Sequence, residues 1–297
     1  MKKLPLISLI FSMTVFGTIG IFKEYIPLPS AFIAMFRGLV GALFVLIFLL
    51  VSKKRINFSQ IKRNFPILLI SGAFIGINWI LLFESYNHTT VAIATLCYYM
   101  SPLFVTVASL LFFKEKLTLR KGVCILTAVF GMVLVSGVIE GEIPKGSMLI
   151  GIILGIAAAV FYASVTLMNK KTKDISPLDI TLVQLFVAAI TVMPYSLIFE
   201  DISFSGVSFK ATAFLFIIGI LHTGIAYVCF FESVKKLEAS KVAIFSYLDP
   251  IVAIILSALI LKEEMTVATG IGAVLIIMSA LISEVNIFAF FKKKGKK

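Results

Sequence analysis

Apolar stretches of about 17 to 22 residues recur from one end of this chain to the other, the length that crosses a bilayer core as helix. That feature leaves few folds open. Inside hydrocarbon every backbone N–H and C=O must find its partner within the protein, so separate apolar runs of this length close on themselves as helices. Ten runs are present, at 4–22, 30–51, 66–83, 91–113 and 122–139, then at 148–168, 178–199, 211–231, 242–261 and 267–291. The last is one span with an interfacial extension. Composition agrees, with 60% of residues hydrophobic and 14% charged, where soluble domains carry roughly a quarter charged. The chain is expected to be an all-α integral membrane protein with ten transmembrane helices. Lys2 and Lys3 precede the first run, which is too long for a cleaved signal peptide and lacks a small-x-small cleavage site, so it reads as a signal anchor.

The orientation follows from the loops, because Lys and Arg gather on the cytoplasmic side. With the N-terminus inside, 22 of the 27 basic residues fall in inside segments, four (Lys23, Lys145, Lys210 and Lys262) fall outside, and Arg37 lies within a span. The bias predicts a multi-pass protein of the cell membrane with both termini cytoplasmic and a basic tail at 285–297. It also accounts for the net charge of +12. Basic loops and tail face anionic lipid headgroups, and nucleic acid is not the expected partner.

One stretch occurs twice. Residues 83–118 lie over 231–266 at a shift of 148 without a gap, and ten of the 36 positions are identical, among them Phe83/Phe231, Glu84/Glu232, Tyr99/Tyr247, Pro102/Pro250, Glu115/Glu263 and Thr118/Thr266. A repeat longer than a solenoid unit implies two homologous halves, 1–141 and 146–284. Five spans per half is an odd number, so the second half enters the membrane from the opposite side and the two are inverted five-helix repeats. Inverted repeats put a site near the midplane that rocking exposes to each side in turn. That is a transporter's design, and the bland alternative is an inert scaffold made by duplication.

On these features the chain resembles a ten-helix member of the drug/metabolite transporter superfamily, EamA family, over nearly its whole length. The resemblance rests on the two five-span halves, on Pro102 and Glu115 with their counterparts Pro250 and Glu263, on Lys23 closing the first span and on Arg37 in the second. Phe16, before Gly17, stands where many relatives have Trp. The resemblance implies a central cavity lined by the first four helices of each half, with the fifth of each at the periphery. It implies export of amino acids or other small metabolites as well; relatives that import, and a flippase for lipid-linked substrates, are the alternatives.

Polar groups at membrane depth are costly and mark function by default. Arg37 lies about seven residues inside its helix, roughly 10 Å below the outer surface; it either snorkels outward or ties down a neighbouring carbonyl, or else contacts an anionic group of the substrate. Asp249, directly before Pro250, has Ser101 as its counterpart, so only one half carries the acid. Its readings are a proton-exchanging carboxylate and a cap on backbone freed by the proline. Pro102 and Pro250 remove the hydrogen bonds to the carbonyls of Tyr98 and Ser246 and are expected to kink both helices as hinges. Tyr98, Tyr99 and Tyr247 lie one turn away, where their rings either stack on substrate or only pack. Asn78, Trp79 and His222 complete the expected substrate-binding set; Tyr162 and Gln184 also fall within spans. Glu115 and Glu263, at helix ends, read as structural partners for nearby Lys or backbone groups.

Other chemistries lack their residues. Cys97, Cys124 and Cys229 show no paired spacing, so neither disulfide nor metal site is indicated. The chain has no phosphate-binding glycine loop with Lys, and its two histidines are well apart, so ATP hydrolysis, enzyme activity and a cofactor are not expected. The expected partners are a small-molecule substrate, membrane lipids and protons as coupling ion.

Overall fold

The computed structural model describes residues 3–112, 118–136, 146–234, 236–237 and 239–284. Its described residues form helices α1 (Lys3–Gly17), α2 (Ile19–Glu24), α3 (Ser30–Val51), α4 (Phe58–His88), α5 (Val91–Tyr98), α6 (Ser101–Phe112) and α7 (Leu119–Val135), then α8 (Ser147–Asn169), α9 (Pro177–Phe199), α10 (Phe209–Ile217), α11 (Ala226–Val234), α12 (Ala239–Ser246), α13 (Leu248–Leu256) and α14 (Val267–Glu284). A π turn, Ile218–Ile225, joins α10 to α11, and a second, Ser257–Leu261, extends α13. Joined end to end where they continue one another, these make the ten rods the apolar runs predict. Eight are long and apolar enough to cross a membrane. The two outside that set are α7, with 17 residues, and α14, whose apolar part is Val267–Ile282.

Local chemistry explains where the helices begin. The side chains of Asn57, Thr90, Thr118 and Ser208 accept from Gln60 N, Ile93 N, Lys121 N and Ala211 N, so each N-cap answers one orphan donor of the first turn. The third rod departs from expectation: α4 has 31 residues and begins at Phe58, with Pro66 inside it. Asn57 provides a start signal nine residues upstream of the apolar run, and the intervening turns are too polar for hydropathy to register. At 1.5 Å per residue α4 is about 46 Å long, well beyond the hydrocarbon thickness.

The rods pack as a bundle of neighbours. α4 lies against α8 and α9, α3 against α9 and the π turn, α1 against α11 and α13, and α5 and α6 against α8. The main core draws on α3, α4, α8 and α9, with Ile33, Val45, Phe83, Leu185 and Ile218 buried at its centre. The fifth rods of the two halves, α7 and α14, pair with each other, Gly131 meeting the Gly272 backbone.

The expected kinks are full breaks. α5 stops at Tyr98 and α6 starts at Ser101, while α12 stops at Ser246 and α13 starts at Leu248. Each proline falls in the first turn of the new helix, where its missing N–H has least to lose. Glu115 lies outside the described residues.

Candidate functional site

Between the halves lies a cavity of about 590 Å³. Residues from the first, second, third, fourth, sixth, eighth and ninth rods line it, together with Lys121 at the start of α7. Thr166 and exposed Lys170, at the end of α8, form its mouth with Lys121. At the other end Gly20, Tyr86 and Arg37 are buried. The cavity is therefore open at one face and stopped at the other.

The stopped end is built from helix termini. Lys262 takes a left-handed conformation, φ 55°, and turns the chain out of the ninth rod. Glu263 then lays its carboxylate on the start of α5, accepting from Val91 N at 2.7 Å and Ala92 N at 3.2 Å. Glu200, at the end of α9, does the same for α3, accepting from Ala31 N and Phe32 N at 2.9 Å each. Each carboxylate belongs to the second half and each capped helix to the first, and an anion at a helix N-terminus also meets the favourable end of its dipole. Beside them buried Lys23 donates to Asn87 Oδ1. The first rod closes in as well: a Cβ on Gly20 would stand 2.5 Å from Val91 Cγ1, and one on Gly17 2.5 Å from the Asp249 carbonyl oxygen.

Arg37 is 4% exposed and its guanidinium carbon sits 4.0 Å from the centroid of Trp79, with Phe83 at 5.4 Å. Its Nε donates to Thr223 Oγ1 at 3.0 Å. Among the described residues it forms no ion pair, with Asp249 or any other carboxylate. Asp249 lies beside Tyr99 on the cavity wall, and Ser101, its counterpart, lines the same cavity. Rings make up much of the remaining wall. Tyr98 lies 5.4 Å from Tyr162 and 6.0 Å from Tyr99, Tyr99 lies 6.5 Å from Tyr247, and Phe16 lies 5.3 Å from Tyr227.

Of the residues expected from sequence, Arg37, Trp79, Tyr98, Tyr99, Ser101, Pro102, Tyr247 and Asp249 thus meet on one cavity. Three lie off it. Asn78 spends its amide on the Ala158 carbonyl, at 2.6 Å, tying α4 to α8. His222, fully buried, reaches Thr18 Oγ1 at 2.8 Å and packs its ring against Phe22. Pro250 is buried behind Asp249. Sequence reasoning had also passed over Tyr86, Tyr227 and Thr223, the last carrying no sign in the sequence beyond a hydroxyl within an apolar run.

A helical membrane protein whose inverted halves enclose a cavity with buried charge is built as a transporter. The chain belongs to the EamA-like transporter family, which it matches over residues 3–137 and 149–284. It is 32% identical to the uncharacterized transporter YxxF of Bacillus subtilis over 275 residues, 93% of this chain and 88% of that one. It is 24% identical to the uncharacterized transporter YoaV of the same organism, covering 90% of each. A solved crystal structure superposes with a TM-score of 0.67 over 94% of this chain and 97% of its own, at 15% identity, which shows the shared fold.

Proposed function

We propose that the protein is a secondary transporter that exports a small organic metabolite, an amino acid or similar compound, by alternating access. The observation that supports this best is the pairing of a one-ended cavity with a buried guanidinium that has no carboxylate partner among the described residues. An uncompensated charge away from water costs several kcal/mol. A substrate carboxylate removes that cost through charge-assisted hydrogen bonds, which makes Arg37 the anion-binding group. Asp249 is the proton-exchanging group, with Tyr99 beside it, and the tyrosine walls take the organic part of the substrate. The open mouth carries Lys121 and Lys170, on the side that the loop charges favour as cytoplasmic. In this state substrate enters from the cell interior. Release outside requires Glu263 to leave α5 while the breaks beside Pro102 and Pro250 take up the bend as hinges.

A proteoliposome screen over amino acids, aromatic compounds and cationic drugs, with and without an imposed pH gradient, tests the proposal. It expects carboxylate-bearing zwitterions to move and the gradient to accelerate them. Transport confined to cations would overturn the role given to Arg37.

A further inference from the structure

Two side chains in the π turn between α10 and α11 show what the wider winding does. Thr223 Oγ1 donates to the Ile218 carbonyl at 2.9 Å, and His222 Nδ1 lies 3.3 Å from the Ile217 carbonyl, in each case five residues back. In ordinary α-helix a threonine hydroxyl reaches back three or four residues. Wide turns of this kind recur at functional positions. Consecutive residues on a helix point in different directions, and here His222 faces the junction of α1 and α2 at Thr18 while Thr223 faces α3.

Thr223 meets α3 at two points. Its methyl occupies the space beside Gly41, where a Cβ would collide with Thr223 Cγ2. Its hydroxyl, with the proton committed to Ile218, presents a lone pair to Arg37 Nε. The guanidinium is then fixed on one edge by Thr223 and on one face by Trp79. Its terminal nitrogens, on the opposite edge from Nε, have no hydrogen-bond partner among the described residues, and Arg37 is part of the cavity wall. Two parallel N–H donors on one edge match the two oxygens of a carboxylate.

We infer that Thr223 is the positioning residue of the anion end, holding Arg37 so that its two terminal nitrogens face the cavity as a fork for a carboxylate. This rests on the reading of Arg37 given above, and adds that selectivity for carboxylates over uncharged compounds of the same shape depends on a hydroxyl that does not touch the substrate. Fixing one edge of the fork lowers the ordering cost of binding. Arg37 also lies against the single tryptophan of the chain, so Trp79 emission reports on this site directly.

The test is a fluorescence titration of the purified full chain in lipid nanodiscs with phenylacetate, using 2-phenylethanol as the uncharged control. The parent is expected to prefer phenylacetate. Thr223→Val, which keeps the bulk beside Gly41 and removes the hydroxyl, should weaken phenylacetate about tenfold, in line with a hydrogen bond to a charged group, and leave 2-phenylethanol unchanged. Thr223→Ser should restore the preference. In an Arg37→Lys background, which has no Nε to hold, Thr223→Val should add no further loss. A preference that survives Thr223→Val, or an equal loss in both backgrounds, overturns the inference alone. A parent with no preference for phenylacetate, or one unaffected by Arg37→Gln, overturns the reading of Arg37 and the inference with it. Should Thr223→Val fail to fold, Thr223→Cys takes its place in the same titration, with the same loss expected and the same survival of preference counting against it.

Discussion

At the scale of single residues, the cavity keeps Arg37 and Asp249 apart. Arg37 is shared among Trp79, Phe83 and Thr223, whereas Asp249 lies beside Tyr99. Had the two formed an ion pair, each would have satisfied the other and neither would call for a ligand. Separate, each takes something from outside on the proposed cycle: an anion at one, a proton at the other. Arg37→Gln is therefore expected to lower kcat/KM for carboxylate substrates by about two orders of magnitude in proteoliposomes, the usual scale for leaving a buried charge unmatched. Asp249→Asn keeps shape and removes the titrating group. Its transport should continue but lose acceleration by a pH gradient; an unchanged response would exclude Asp249 as the coupling group. Ser101, the residue at the equivalent position of the other half, cannot take that role because a hydroxyl does not ionise in this range.

At the scale of elements, the stopped end of the cavity is a set of helix starts held by acids from elsewhere in the chain. Glu263 links the exit of the ninth rod to α5, so opening that end must break both of its hydrogen bonds. Glu263→Ala should favour the outward-open form by about 1 kcal/mol or more, the worth of a helix cap, or about fivefold in population. A cysteine replacing Thr95, inside the stopped end, would then react faster with an impermeant maleimide added outside; an unchanged rate would show that Glu263 is not a latch. The breaks at Tyr99 and Tyr247 were legible because proline announces them, and the spans because the bilayer demands a fixed apolar length. The π turn at Ile218–Ile225 was not legible, since no proline marks it and the contacts seen there are tertiary, Thr223 packing beside Gly41 on another rod. The same limit misplaced Asn78 and His222. A polar residue in a span must find a partner, but the sequence does not say whether that partner is a substrate, a carbonyl on α8 or a hydroxyl on the first rod. Glu263 was legible as a helix-end partner of backbone groups, as it is, but the helix it caps was not, and Glu200 carried no sign at all, because each contact spans about 170 residues of chain.

At the scale of the whole molecule, orientation decides what the open mouth faces. Cysteines introduced at Asn57 and Gly295 are expected to resist an impermeant reagent applied to intact cells and to react after lysis; labelling from outside would invert the topology and, with it, the direction assigned to loading. The one-ended cavity has an electrical consequence too. With one end sealed by protein and the other filled by solution, the membrane voltage falls across the thin sealed region near Arg37, and it must fall on the other side of that arginine once the mouth has moved. On the proposed cycle an empty carrier with Asp249 protonated thus shifts a positive charge through the field each time it turns, work of about 2.3 kcal/mol per unit charge for each 100 mV crossed in full. A bound carboxylate without an ammonium group cancels that charge, whereas a zwitterion, neutral as a whole, leaves it unchanged, so only a net anion makes the loaded and empty turns respond differently to voltage. Recorded on a solid-supported membrane, a concentration jump of a transported monocarboxylate that bears no ammonium should produce a transient current that Arg37→Gln lacks, and for such a cargo the resting potential of the cell becomes a brake or a spur on the empty return rather than on the loaded turn.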